Sequence, residues 1–172
     1  MPSPQKTKGR GFENEVAKQL SELFGENFMR VMGSGAFLGG KNHDRRLTMS
    51  EGQIQNHRGD IVPPDGWKHF NAEAKFYQDF PFHQLLTGST KILDGWIEQT
   101  LTTSCEGDLN IIFMKFNRKG QYVAFQSSDG FFTTRHCLYN GLWYFTTWDD
   151  FFADARNLDI MKTKSLGKSN KQ

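Results

Sequence analysis

The stretch that decides the fold runs from residue 59 to residue 77 and reads GDIVPPDGWKHFNAEAKFY. Two runs with β-branched or aromatic residues flank the segment PPDG, which favours a turn and is poorly tolerated in a strand or a helix. The stretch therefore predicts a β-hairpin. Because successive strand residues point to opposite faces, Glu73 and Lys75 share one face, and the hairpin brings Asp60 of the first strand close to Glu73.

Two carboxylates and one amine can thus share a small volume at this hairpin. Carboxylates with room for water molecules suit a hard divalent cation such as magnesium or manganese. Such a cation can activate a water molecule, and a lysine beside it can stabilise the negative charge of a transition state. The pattern indicates phosphodiester hydrolysis. An exposed strand face with an ordinary glutamate and lysine is the alternative interpretation, because Glu-x-Lys is a common sequence.

A helix is predicted from about residue 11 to residue 24, because apolar residues such as Phe12, Val16 and Leu20 recur at helical spacing. On a helical wheel Glu13 falls inside this apolar arc. A carboxylate that faces a protein core is costly unless it is paired or bound to a cation. Glu13 is therefore either a residue at the frayed end of the helix or the third acid of the site.

The composition predicts one domain, since 172 residues with 37% hydrophobic content can bury one sizeable core. We place this domain at residues 11–160, between a basic N-terminal arm at residues 1–10 and a basic C-terminal tail at residues 161–172. Both ends are rich in lysine and arginine and contain no acidic residue, so the body between them is acidic. The ends either touch phosphates or are solvated tails.

No run of residues approaches the length of a membrane span, and the first residues lack the apolar core of a signal peptide. We therefore expect a soluble protein of the cytoplasm, encoded by a cell or by a virus. Cys105 and Cys137 show no spacing typical of metal ligands, so we expect two reduced thiols.

Residues 36–58 form a long polar segment without clear periodicity, which is typical of a functional loop or of disorder. The segment from Gly35 to Lys41 has the spacing of a P-loop, but Asn42 stands where a hydroxyl is needed, so no nucleotide cofactor is expected. Basic residues here and elsewhere can contact a DNA backbone. The candidates for DNA binding are Lys8, Arg10, Arg30, Lys41, Arg45, Arg46 and Arg58.

Beyond the hairpin the pattern predicts a helix at residues 89–102, then strands at 109–116, 121–125 and 142–146. Thr147 resembles the first residue of a capping box that opens a last helix. The order of these elements predicts an α/β protein of mixed α+β type, with a central mixed β-sheet flanked by helices.

The chain resembles the archaeal-type Holliday-junction resolvases, which belong to the PD-(D/E)xK nuclease superfamily. The resemblance extends from about residue 8 to residue 125 and rests on short motifs in a fixed order. These are KGRGFE at 8–13, RVMGSG at 30–35, Asp60, EAK at 73–75 and the strand at 109–116. Two departures are Gly59, where many relatives have proline, and the segment at 36–58, which is longer than in compact resolvases.

This resemblance implies a restriction-endonuclease-like core and a site that binds Mg²⁺, with Mn²⁺ as a substitute. By resemblance, Glu13, Asp60 and Glu73 are metal ligands, Lys75 is the catalytic lysine and Ser34 lies near the scissile phosphate. The resemblance also implies a homodimer.

Together with this resemblance, the sequence leads us to expect a magnesium-dependent endodeoxyribonuclease of the crossover-junction type, active in DNA recombination and repair. We expect it to hydrolyse phosphodiester bonds at four-way or branched DNA and to act without a membrane or a nucleotide cofactor. Two alternatives are a restriction- or repair-type endonuclease that cuts linear duplex DNA, and an inactive DNA-binding module of the same fold.

Overall fold

The computed structural model describes residues 4–32, 47–50, 53 and 56–168, without the side chains of residues 4–6. The helices are α1 (Pro4–Phe24), α2 (His83–Thr87), α3 (Lys91–Thr103), α4 (Trp148–Ala153) and α5 (Ala155–Ser165). The strands are β1 (Met29–Arg30), β2 (Ile61–Val62), β3 (Phe70–Tyr77), β4 (Leu109–Phe116), β5 (Gly120–Gln126), β6 (Cys137–Tyr139) and β7 (Trp143–Thr147). No helix in these described ranges is long and apolar enough to cross a membrane.

A five-stranded mixed sheet with the strand order β3-β4-β5-β7-β6 forms the centre of the protein. β3 and β4 are parallel, and the other neighbours are antiparallel. Parallel neighbours need a crossover connection, which α2 and α3 provide. The predicted fold class, a mixed sheet flanked by helices, is therefore confirmed.

The sheet separates two apolar clusters, one on each of its faces. Side chains of α1, α4 and α5 pack on one face, and side chains of α2 and α3 pack on the other. Alternate residues of β4, such as Phe113 and Met114, belong to different clusters. This explains why β4 is a nearly continuous apolar run, since both of its faces are covered.

The predicted β-hairpin is only partly correct. The backbone N–H of Asp60 donates to the carbonyl of Ala72 (2.8 Å), so the first arm does reach β3. The next two residues form β2, which pairs antiparallel with β1 in a separate two-stranded sheet. Gly59 permits the close contact with β3: it has φ +63°, and a Cβ there would lie 2.4 Å from the Ala72 carbonyl oxygen. Only glycine allows so close an approach at a positive φ.

Both predicted basic ends contribute to the described fold. α1 begins at Pro4 and not near residue 11, so the basic residues 8 and 10 lie on a helix. At the other end, α5 continues to Ser165. Two lysines assigned to the tail are ion-paired there, Lys162 with Glu26 and Lys164 with Asp129. These lysines therefore hold the last helix against the domain.

Candidate active site at the edge of the sheet

The edge strand β3 carries the two residues of the Glu-x-Lys motif. Their side chains point to the face covered by α3, where both meet Gln99. Lys75 Nζ donates to Oε2 of Glu73 (2.8 Å) and to Oε1 of Gln99 (2.9 Å). Gln99 Nε2 donates to the same Glu73 oxygen (3.0 Å). The alternation of the strand thus places carboxylate and amine in one hydrogen-bonded group.

Asp60 lies against the open edge of β3, where a sixth strand would otherwise pair. Its backbone is bonded to Ala72, and its Oδ2 accepts the backbone N–H of Ala74 (2.9 Å). The carboxylate therefore satisfies an edge N–H that would otherwise lack a partner strand. These two hydrogen bonds hold Asp60 against Ala72 and Ala74, the two neighbours of Glu73 in the strand. Asp60 is buried.

Glu73 is only 2% exposed, and its electrostatic environment is unusual. Burial and the neighbouring Asp60 carboxylate raise the pKa of Glu73 to about 8, against the opposing effect of Lys75. Two carboxylates that are buried together cannot both ionise cheaply, because their charges repel each other and water is excluded. A bound cation would remove this electrostatic cost, whereas Lys75 alone does not.

Glu13 approaches the same region from the other face of the sheet. Its side chain is 13% exposed and accepts a charge-assisted hydrogen bond from Nη1 of Arg30 (3.3 Å). Burial and the Asp60 carboxylate raise the pKa of Glu13, whereas Arg30 and Lys75 oppose that change. Glu13 therefore lies close enough to Asp60 and Lys75 to interact with their charges, and it does not face bulk solvent.

The donor chemistry of these residues fits a divalent metal ion. In the arrangement that the structure describes, no three acidic, histidine or cysteine side chains are grouped closely enough to hold a metal. However, the three carboxylates provide only oxygen ligands, which magnesium and manganese prefer. Burial and the Asp60 carboxylate raise the pKa values of Glu13 and Glu73, and a cation bound at this edge would favour the ionised carboxylates.

Gln99 is a further residue of the site, which the sequence motifs do not mark. A glutamine on a helix is usually a surface residue, and Gln99 is exposed. In the structure, it connects Glu73 and Lys75 through both ends of its amide. Its position three residues after the buried Trp96 was the available signal, because residues at i and i+3 lie on neighbouring turns of one helix face.

Replacing Gln99 by alanine is expected to lower the cleavage rate by up to about a hundredfold, with little change in DNA affinity. The lysine amine would lose one of its two fixed partners, and small misplacements of a reacting group are costly. Cleavage at saturating DNA and equilibrium binding would be measured separately. The matched control is Glu98→Ala, an exposed neighbour on α3. An equal loss in both variants would contradict a positioning role for Gln99.

The predicted DNA contacts are divided between several locations. Lys8 and Arg10 are exposed on α1, and Arg10 lies one turn before Glu13. Arg30 is bound to Glu13 beside the site. The predictions for Ser34, Lys41, Arg45 and Arg46 concern residues outside the described ranges.

The prediction that Arg58 binds DNA requires correction. This side chain is 5% exposed and forms an ion pair with the buried Asp108 (2.8 Å between Nη1 and Oδ2). It also donates to the carbonyl oxygens of Lys68 (3.2 Å) and Phe70 (2.9 Å). The guanidinium group binds partners inside the protein, next to the start of β3. Its charge is therefore not exposed to a ligand.

The raised pKa of Glu73 predicts how the stability of the metal-free protein changes with pH. The unfolded chain loses this proton near the ordinary pKa of 4.5, whereas the folded chain keeps it up to about pH 8. The resulting stabilisation is complete below pH 4.5 and is lost as the pH rises through 8. We expect Glu73→Gln to be stabilised relative to the wild type by a few kcal/mol at the alkaline end.

Urea unfolding in EDTA at several pH values would measure this effect. The Glu98→Gln variant, which changes an exposed glutamate of α3, should keep the wild-type slope of unfolding free energy against pH. If Glu73→Gln also kept that slope, Glu73 would be ionised in the folded protein.

The fold and the site together define a class of protein. A mixed sheet whose edge strand carries Glu73-Ala74-Lys75 beside a preceding Asp60 is the arrangement of the PD-(D/E)xK nucleases, which usually use a divalent metal ion. A sequence model of the family described as "Phage putative PDDEXK endonuclease" matches residues 4–163, and the chain belongs to that family. No curated protein and no solved structure matches the chain. The superfamily prediction is confirmed, and the match is not to junction resolvases in particular.

Proposed function

We propose that the protein is a magnesium-dependent endodeoxyribonuclease that cuts branched DNA, with four-way junctions as its preferred substrate, and that Mn²⁺ can replace Mg²⁺. The observation that supports this proposal is the convergence of Asp60, Glu73 and Lys75 at the open edge of β3. Acid residues from separate segments meet there with one amine, and this combination can bind a metal ion and stabilise the transition state of phosphodiester hydrolysis.

Each residue of the site has a distinct role in the proposed reaction. Asp60, Glu73 and Glu13 would hold the metal ion, which when bound supplies Lewis-acid stabilisation and an activated water molecule. The bond from the Ala74 N–H orients the Asp60 carboxylate. Lys75 is held by Glu73 and Gln99 with 12% of its side chain exposed, so its amine can reach a phosphate oxygen and offset the growing negative charge.

Preference for branched DNA would arise from phosphate contacts and DNA shape, without reading of bases. Lys8 and Arg10 are exposed on the same helix as Glu13 and suit contacts to a DNA backbone. The predicted roles of Lys41, Arg45 and Arg46 in DNA binding, and of Ser34 near the scissile phosphate, are part of the proposal. Because each chain has one catalytic centre, paired cuts at a junction require a homodimer. Such cuts belong to recombination and repair.

The decisive experiment compares a synthetic four-way junction with a linear duplex made from the same arm sequences. With Mg²⁺ or Mn²⁺ the junction should be cut in two symmetrically related strands, and EDTA should stop the reaction. Affinity should fall steeply with salt, as expected for phosphate contacts. Sedimentation would show a dimer. Equal cutting of the linear duplex would replace this proposal with a restriction- or repair-type activity, and binding without any cutting would indicate an inactive module.

A further inference from the structure

Tyr77 is an exposed aromatic residue in the same row of side chains as the catalytic motif. It ends β3, and it lies on the same strand face as Glu73 and Lys75 because these positions differ by two residues. The strand rise places Tyr77 about 7 Å beyond Lys75. The residue is 44% exposed, although it belongs to the central sheet.

The ring of Tyr77 is held by the protein core and is not a loose surface group. It packs on Trp96 of α3, with 4.9 Å between the ring centroids and 60° between the planes. Trp96 is itself buried and is stacked with Phe80 and Phe116. The helix that supplies Gln99 to the site therefore also fixes Tyr77. The core supports one side of the ring, and the exposed side is available for a ligand.

The charges near Tyr77 do not oppose a nucleic acid. Asp79 follows two residues later, and its carboxylate is ion-paired with Lys119. Lys75, on the other side, is positively charged and lies next to the proposed position of the scissile phosphate. The hydroxyl of Tyr77 makes no hydrogen bond to any residue within the described part of the chain. The exposed surface is therefore an aromatic face beside the Lys75 amine.

We propose that Tyr77 is a stacking platform for a nucleobase next to the scissile phosphate, at a point where the DNA stack is interrupted. Bases in continuous duplex are already stacked on their neighbours, whereas a base at a branch or fork offers a free face. Aromatic side chains bind such bases with little dependence on sequence. This inference rests on the proposed function, because it takes Lys75 as the group that contacts the phosphate. By this proposal, Tyr77 favours DNA with an interrupted base stack over continuous duplex.

The test measures equilibrium binding in EDTA, so that the result does not depend on cleavage. The probes are a fluorescein-labelled forked DNA and a continuous duplex that share the sequence of the paired region. Tyr77→Ala should weaken binding of the fork by about tenfold and leave binding of the duplex unchanged. Tyr77→Phe should keep the wild-type preference, because the ring remains. Leu142→Ala, which removes an exposed apolar side chain near the far edge of the sheet, is the control.

Each outcome separates this inference from the proposed function. If Tyr77→Ala bound the fork as well as the wild type, or lost fork and duplex affinity equally, Tyr77 would not be a stacking platform. Circular dichroism and thermal unfolding would show whether the variant is folded, and Tyr77→Phe would reveal a loss that came only from the hydroxyl. Failure of wild-type cleavage in Mg²⁺ would contradict the nuclease proposal and would leave the binding result intact.

Discussion

Replacing Asp60 by asparagine is expected to abolish DNA cleavage, with a loss of about a thousandfold or more. A metal ion and its carboxylate ligands contribute several kcal/mol of transition-state stabilisation, and each ~1.4 kcal/mol corresponds to a factor of ten in rate. The asparagine oxygen can still accept the Ala74 N–H, so the edge of β3 keeps its partner. The substitution therefore removes a negative charge from the site without removing the hydrogen bond that positions it.

The same assay should include Glu73→Gln and Lys75→Met, which remove the second carboxylate and the amine. All three variants should retain most of the junction affinity in EDTA, because the proposed binding contacts lie on the basic residues. Asp65→Asn is the matched control, since Asp65 is an exposed acid in the turn that precedes β3. Cleavage by Asp60→Asn at the wild-type rate in Mg²⁺ would refute its role as a metal ligand.

The fold and the directions of the Glu73, Lys75 and Glu13 side chains follow largely from local pattern in the sequence. Strand alternation placed Glu73 and Lys75 on one face, and the structure has both on the α3 side of β3. The helical wheel turned Glu13 inward, and its side chain is half-buried near Asp60. These predictions succeeded because the period of a strand or a helix alone decides where a side chain points.

Predictions failed where the outcome depends on contacts between distant segments. Gly59 stands where many relatives have proline, yet its φ of +63° is inaccessible to proline. Local pattern therefore does not predict the backbone conformation just before Asp60. Nor does it predict that β2 pairs with β1. Gln99 contacts the site only because α3 crosses over β3, and that crossing is set by the parallel pairing of β3 with β4.

Arg58 shows that local pattern also fails to predict the partner of a charged residue. A basic residue within a long polar segment looks like a phosphate contact, because sequence gives its charge and not its partner. The partner, Asp108, lies fifty residues away and just before β4. The Asp108 side chain is 1% exposed. Its Oδ2 also accepts the backbone N–H of Cys105 (2.6 Å), and His69 Nδ1 lies 3.3 Å from Oδ1. This cluster joins the N-terminal ends of the two parallel strands.

Replacing Asp108 by asparagine is expected to destabilise the protein by about 3–5 kcal/mol, because it leaves the Arg58 charge buried without a counter-charge. For a domain of this size that loss lowers the melting temperature by roughly 6–20 °C. Thermal unfolding at neutral pH measures the effect, and Asp65→Asn again serves as the control because its carboxylate is exposed. The double variant Arg58→Met, Asp108→Leu should be more stable than Asp108→Asn alone, since apolar residues can replace a buried ion pair at little cost.

Measurements of DNA binding by these variants then test whether Arg58 contacts DNA or only its internal partners. Arg58→Met leaves Asp108 buried without its main partner, so it should be destabilised in the same way as Asp108→Asn. Because the guanidinium faces Asp108 and two backbone carbonyls, the fraction that folds should bind DNA with wild-type affinity and wild-type salt dependence. A stably folded Arg58→Met protein with a shallower salt dependence would show that this side chain leaves its internal partners to reach a phosphate. An unchanged melting temperature for Asp108→Asn would show that the Arg58–Asp108 ion pair contributes nothing to stability.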